Sequence, residues 1–353
     1  MTTPLSQHPV VSCRNVWKIF GERASDALYA AQHSGLSKRE INEEYGCVVG
    51  VADASFDVQR GEIFCIMGLS GSGKSTLVRH INRLLEPTAG EILIDGEDVV
   101  AKDARALRQL RASKIGMVFQ NNALLPHRTV RDNVALPLEV QGMSKRSRRD
   151  IAGQVLDKVE LNGWEERFAH ELSGGMQQRV NLARAMAADP DILLMDEPFS
   201  ALDPLIRRQL QDQFMALSKE LQKTTIFITH DLDEAIRIGD RIAIMKDGVI
   251  VQTGTPEEIV CNPADAYVAD FVAGISKLKL VRAHTVMLEV ADYLAQPQHL
   301  DTSTLPQADS EADLDQLIDL SLKANSPLAI TRDHAVIGVV DHSCLLRGIQ
   351  GGK

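Results

Sequence analysis

GLSGSGKS, residues 68–75, follows the apolar run EIFCIM and opens the helix-like stretch STLVRHINRL. Buried strand, glycine-rich loop, helix: this order is the setting a phosphate-binding loop requires, and it points to an α/β core built on parallel strands. Glycines let successive backbone N–H groups turn inward around a β-phosphate. Lys74 supplies a point charge toward the β- and γ-phosphates, and the Ser75 hydroxyl can ligate Mg2+. The expected nucleotide contacts here are Gly68, Ser70, Gly71, Ser72, Gly73, Lys74, Ser75 and Thr76.

Two further apolar runs, DILLMDE ending at Glu197 and TTIFITH ending at His230, also finish on polar residues between helix-like segments. They read as buried parallel strands, which bind ligands at their carboxyl ends. A strand ending in acidic residues is by itself ordinary core. Beside a phosphate loop, ILLMDE supplies the other half of the site: Asp196 for the metal and Glu197 to polarise the attacking water. That pairing favours a hydrolase over a kinase, which must exclude water. By contrast GEILIDGEDV, from Gly90, alternates around an Asp-Gly turn and reads as an antiparallel hairpin at a sheet edge, so the sheet is expected to be mixed. From about Asn121 to Gln178 the pattern is helical and charged, and its basic run KRSRR reads as a solvated helix face.

At 353 residues and 44% hydrophobic the chain supports a large core and an appendage. A formal net charge of -10 argues against nucleic acid as the main partner. Five scattered cysteines form no CxxC pair, which points away from disulfides and toward a reducing interior. Cys65 reads as a buried small hydrophobe. The amino terminus lacks signal-peptide character, and no apolar stretch approaches the roughly 20 residues of a membrane span, so a membrane role would come through a partner. His33, His80, His127, His170 and His334 show no metal-ligand spacing and read as surface or packing residues.

LSGGMQQR, from Leu172, has two glycines and a serine suited to a phosphate but no lysine. Together with GLSGSGKS, Gln120, ILLMDE, SALD and His230 in this order, it resembles the ATPase subunit of ABC transporters, over about Val10 to Ala273. The resemblance implies an ABC ATPase fold with a mixed sheet core, an antiparallel β subdomain and a helical subdomain. It also implies that Ser173, Gly174, Gly175 and Gln177 serve the γ-phosphate held by a second copy in a head-to-tail dimer. One phosphate gripped by two chains would explain why the second cradle needs no lysine. By the same resemblance Gln120 senses Mg2+ and the attacking water, His230 contacts the γ-phosphate, Asp203 communicates across the dimer, and Phe20 stacks on adenine, with Trp17 as its competitor. ATP and Mg2+ are the implied ligands.

Most exporters of this family fuse the ATPase to membrane spans, and no such span is seen in this sequence, so import is expected over export. NVWKIFGE, GLSKREI, EEYG and VVGVADASFDV look like the ATPase subunit of importers for quaternary ammonium compounds and proline, the glycine betaine, choline and proline group. A helical insertion at about Glu22–Gly46, with a Ser37-to-Glu40 capping pattern, interrupts an early hairpin and belongs to that resemblance. The expected organisation is an ATPase domain over 1–274 and an accessory domain over 275–353, where an acidic proline-containing linker precedes a helix, two strands and a short helix. GVVDHSCLLRGI is similar to the end of a CBS module, and the region reads as a shortened, CBS-like α+β regulatory domain. The tail and KLKLVRAHTV lean toward the choline branch. The implied partners are a second copy, integral membrane permease subunits that dock near LLPHRTV, and indirectly an extracytoplasmic substrate-binding protein, at the cytoplasmic face of the inner membrane. The rivals are a soluble ABC ATPase acting on DNA or ribosomes, whose usual coiled-coil or metal-binding insertions are missing, an importer subunit for another small solute, and a purely regulatory subunit that does not hydrolyse ATP.

Overall fold

The computed structural model describes residues 8–120, 123–295, 300–333 and 335–350; Asn121 and His334 lie outside them. The chain divides into two compact units, 1–253 and 254–353.

Among the described residues the first unit carries ten strands: β1 (Val11–Phe20), β2 (Val48–Val58), β3 (Ile63–Met67), β4 (Ala89–Ile94), β5 (Glu97–Asp98), β6 (Ile115–Val118), β7 (Ile192–Asp196), β8 (Thr224–Thr229), β9 (Arg241–Lys246) and β10 (Val249–Gly254). They form two sheets. The first has the order β10-β9-β3-β8-β7-β6, with β6, β7, β8, β3 and β9 parallel. The second, β2-β1-β4-β5, is antiparallel throughout. The expected hairpin is β4–β5, turning at Asp95 and Gly96 with φ of 48° and 78°, and it closes the edge of the antiparallel sheet. The runs that are apolar at every position became β3, β7 and β8, each buried along its length. Alternating strands β1 and β2 lay one face on the same core, where Phe56 stacks on Phe64 with ring centroids 5.1 Å apart.

Register places the site. Met67 pairs with Thr229, Asp196 with Ile228, and Val118 with Met195. The chain therefore leaves four neighbouring strands at one end of the sheet, delivering Gly68, His230, Glu197 and Gln120 there. Behind this end Phe199, Phe214 and Phe227 pack with centroids 5.9 to 6.4 Å apart and fix the turn that follows Glu197.

The insertion forms two helices, Ala24–Ser34 and Lys38–Tyr45, between the paired strands β1 and β2. Ser37 and Glu40 make the capping box, and Ile41 and Ala27 pack with Ile19 and Val49 in a small core of their own. KRSRR begins the helix Lys145–Lys158. It is not simply a solvated face: Lys145 and Arg146 are exposed, whereas Arg149 is half-buried and bonds Asp132 and Glu166, each at 2.7 Å.

In the second unit β11 (Leu288–Glu289), β12 (Gln307–Asp309), β13 (Leu328–Arg332) and β14 (Ala335–Val340) form a sheet ordered β11-β14-β13-β12, packed by the helices Leu314–Ala324 and His342–Gln350. Two expectations are revised. The acidic segment read as linker contains β12, which pairs parallel with β13; only Ala308 of its three residues is buried, so no alternation marks it. The division between units falls at 253/254 rather than 274/275. Residues 254–274 side with the second unit because Glu257 accepts from Arg282 N and Thr285 Oγ1, and Cys261 packs on that unit's core.

Candidate active site

The phosphate loop folds as a tight turn between β3 and the helix Lys74–Ile81. Glycine is required at two of its positions. At Gly68, with φ 151°, a Cβ would sit 2.1 Å from Met245 O; at Gly73, with φ 100°, it would sit 2.3 Å from Gly50 O. Lys74 is 5% exposed, and its Nζ donates to Gly68 O at 2.8 Å and Leu69 O at 3.0 Å. Burial holds this ammonium below its usual lysine range, while the Glu197 and Asp196 charges pull it back up. A buried ammonium whose hydrogen-bond partners among the described residues are neutral oxygens of its own loop is a cradle lacking only an anion, and a nucleotide phosphate fits it.

Ser75 Oγ donates to Asp196 Oδ1 across 2.7 Å, and Asp196 is fully buried at the end of β7. These two hard oxygens would hold Mg2+, which binds through one or two carboxylates together with substrate phosphates. Among the described residues no group of three or more His, Cys, Asp or Glu could hold a metal. Arg79, one turn after Ser75, reaches Asp196 Oδ2 at 3.4 Å. It was missed in the sequence, although its i,i+4 relation to Ser75 puts both on one helix face.

Glu197 has φ 46°, a left-handed conformation that costs a glutamate about 1–3 kcal/mol and is held by its N–H bond to Ile228 O. Its Oε2 accepts from Gln120 Nε2 at 3.1 Å and lies 3.1 Å from His230 Nδ1. Residues 120, 197 and 230 thus meet on one oxygen. Glu197 is 14% exposed and His230 55%, so the carboxylate is sheltered and the imidazole faces open space. A carboxylate held from two sides, beside a phosphate cradle, is arranged to take a proton from water.

Ser173, Gly174, Gly175 and Asp203 lie elsewhere in the unit. Ser173 caps the helix Gly174–Met186 and Asp203 caps the helix Pro204–Leu221. All four line one groove with Arg179 and Ile206, and no residue of the phosphate loop lines it. Two helix amino termini facing one groove favour an anion brought from outside the chain. Gln177 Nε2 donates to Ala169 O at 2.9 Å and Leu172 O at 3.3 Å, holding the turn ahead of Ser173. Phe20, expected to stack on adenine, is 41% exposed with Lys18 Nζ 5.1 Å from its ring centroid. Trp17 packs against the small core of the insertion instead.

The family model for ABC transporters matches residues 51–200. An ATP-binding protein of a trimethylamine N-oxide transport system from Pelagibacter ubique is 44% identical over 342 residues, 97% of this chain and 97% of that relative. The glycine betaine transport ATP-binding protein OpuAA of Bacillus subtilis is 54% identical over 277 residues, 78% of this chain and 66% of that relative. Among solved structures, a dimeric post-hydrolysis state of the ATP-binding cassette MJ0796 bound to ADP and Pi superposes with a TM-score of 0.59 at 34% identity, covering 70% of this chain and 98% of that one.

Proposed function

The chain belongs to the ABC transporter family as an ATP-binding, ATP-hydrolysing subunit, and on that premise we propose that it drives import of small compounds carrying a trimethylated, positively charged nitrogen. Trimethylamine N-oxide, glycine betaine and choline share that group. The observation that carries the hydrolytic half is the convergence of Gln120 and His230 on Glu197 Oε2 next to the Lys74 loop. Glu197 takes the proton of the attacking water, and Gln120 and His230 hold its carboxylate in line. Lys74 binds the β- and γ-phosphates. Mg2+, held by Ser75 and Asp196, would neutralise charge developing on the phosphate oxygens. Ser173 and Gly175 cap the γ-phosphate of a second copy, so ATP draws two chains together and hydrolysis releases them.

Cargo class is supported by the relative that spans 97% of the chain, carboxyl-terminal unit included, which is named for trimethylamine N-oxide transport. The tail from which the choline branch was inferred is therefore shared with a protein of a different named cargo. Trimethylamine N-oxide is the first compound to test, with glycine betaine, choline and proline beside it. No helix of the described residues is long and apolar enough to cross a membrane. The cargo path then belongs to permease subunits, with this chain peripheral on their cytoplasmic side and a substrate-binding protein delivering from outside. A largely apolar groove suits a permease segment: Phe119, Ala123, Leu136, Pro137 and Val140 are among the residues that line it. LLPHRTV itself does not line it. The second unit, with one set of β12, helix, β13, β14 and helix, is read as a single CBS-like regulatory module.

The experiment is uptake of the four labelled compounds by cells lacking this chain and complemented with wild type or Glu197→Gln. Restoration of trimethylated-nitrogen uptake by wild type alone supports the reading. Wild-type restoration of none of the four would overturn the cargo class while leaving ATP hydrolysis intact.

A further inference from the structure

The groove lined by Ser173 and Asp203 and the catalytic carboxylate are joined by a polar ladder between two helices, Pro204–Leu221 and Leu232–Ile238. Asp203 caps the first helix, and the second begins two residues after His230. Arg207, one turn into the first helix, spans the gap. Its NH1 donates to Asp231 Oδ2 and its NH2 to Leu202 O, each at 3.2 Å. Leu202 immediately precedes Asp203, and Asp231 immediately follows His230. Asp231 is itself fixed, because Oδ1 accepts from Glu234 N at 3.2 Å and its own N–H donates to Thr229 Oγ1 at 3.0 Å.

A second rung lies one turn further on. Gln211 Nε2 donates to Glu234 Oε1 at 2.8 Å with both residues buried, and Gln211 Oε1 accepts from Arg237 NH1 at 3.1 Å. A buried, mutually satisfied pair of this kind keeps the two helices in one relative position. The Arg207 rung is 29% and 35% exposed on its two sides, so its ion pair adds little to stability. Its geometry is more specific than its energy: one planar guanidinium fork grips a carbonyl next to Asp203 and a carboxylate next to His230, which a lysine, as a point charge, cannot do at once.

Resting on the dimer reading above, we propose that Arg207 is a positioning residue that carries partner engagement at the Asp203 groove to His230. Pressure from the second chain on the Leu202–Asp203 turn moves the guanidinium, the guanidinium moves Asp231, and His230, which in the single chain already lies on Glu197 Oε2, is brought onto the γ-phosphate. Hydrolysis is thereby made to wait for the closed dimer, although ATP binding at Lys74 does not.

The test compares wild type, Arg207→Met and Arg207→Lys in two assays with Mg-ATP: steady-state hydrolysis, and ATP-dependent dimerisation of the same variants carrying Glu197→Gln. For Arg207→Met the expected result is kcat lower by about ten-fold or more, with the half-saturating ATP concentration and dimerisation within about two-fold of wild type. Arg207→Lys should recover part of kcat. Wild-type kcat in Arg207→Met, or parallel loss of kcat and dimerisation, would overturn the proposal. Should Arg207→Met fail to fold, the same split read on Arg207→Lys, which keeps the charge and the stem, decides it. Absence of hydrolysis by the wild type itself would instead overturn the functional reading.

Discussion

Glu197 Oε2 lies 3.1 Å from His230 Nδ1, between residues that end adjacent strands of the parallel sheet. The contact ties the proposed base to a residue that faces open space, and Glu197 holds its place through backbone pairing: its N–H donates to Ile228 O at 3.1 Å.

Glu197→Gln keeps the shape and a hydrogen bond to Gln120 but removes the proton acceptor. Hydrolysis should fall by about 10²–10⁴-fold, the usual contribution of a positioned base, with ATP affinity retained. Phosphate release and equilibrium nucleotide binding measure the two separately. Hydrolysis within a few-fold of wild type would remove Glu197 from the role of base.

Gly73→Ala places a methyl 2.3 Å from Gly50 O at a φ of 100°, whereas Gly71→Ala, at φ 81°, meets nothing within 4 Å. Both pay backbone strain of about 1–3 kcal/mol, but only the first must also push strand β2 away from the loop. ATP affinity should therefore fall at least about ten-fold further in Gly73→Ala than in Gly71→Ala. Nucleotide titration of the two variants, with circular dichroism to check the fold, tests this, and equal affinities would contradict the packing argument.

His80 is fully buried on the helix after the phosphate loop, with Nδ1 2.6 Å from Leu85 O. Burial pushes its pKa down to about 4; the bond to Leu85 O opposes this and Lys18 adds to it. The unfolded chain then binds a proton near pH 6.5 that the folded chain refuses until about pH 4, so stability is full above 6.5 and drains as pH falls through that window. The loss is on the order of 3 kcal/mol from this residue at the low end. Melting temperature followed between pH 7.5 and 5 should drop in the wild type and drop less steeply in His80→Gln. Identical slopes would exclude His80 as the source.

What could be read in the sequence and what could not divide along physical lines. β3, β7 and β8 were legible because a strand buried on both faces is apolar at every position, and the loop after β3 was legible because phosphate geometry demands glycines at fixed spacing. The capping box at Ser37 and the turn at Asp95-Gly96 were legible for the same local reason. β12 was hidden because QAD pairs through its backbone and buries one small side chain. The meeting of Gln120, Glu197 and His230 depends on strand order, β6-β7-β8, which no local pattern encodes. The packing of Trp17 on the core of the insertion is a tertiary fact that no local pattern encodes. Arg207 had only its place one turn after Asp203 to mark it.

The measurement that bears most directly on the two-chain grip is the mass in solution of Glu197→Gln with and without Mg-ATP, alone and combined with Ser173→Arg. The expected result is a shift from 38.8 kDa to about twice that with Mg-ATP, abolished by Ser173→Arg while the monomer still binds ATP within about two-fold of the parent affinity. Loss of ATP binding by the Ser173→Arg monomer would place Ser173 in its own chain's site, and a dimer that persists would remove it from the partner's; either result contradicts the grip of one phosphate by two chains.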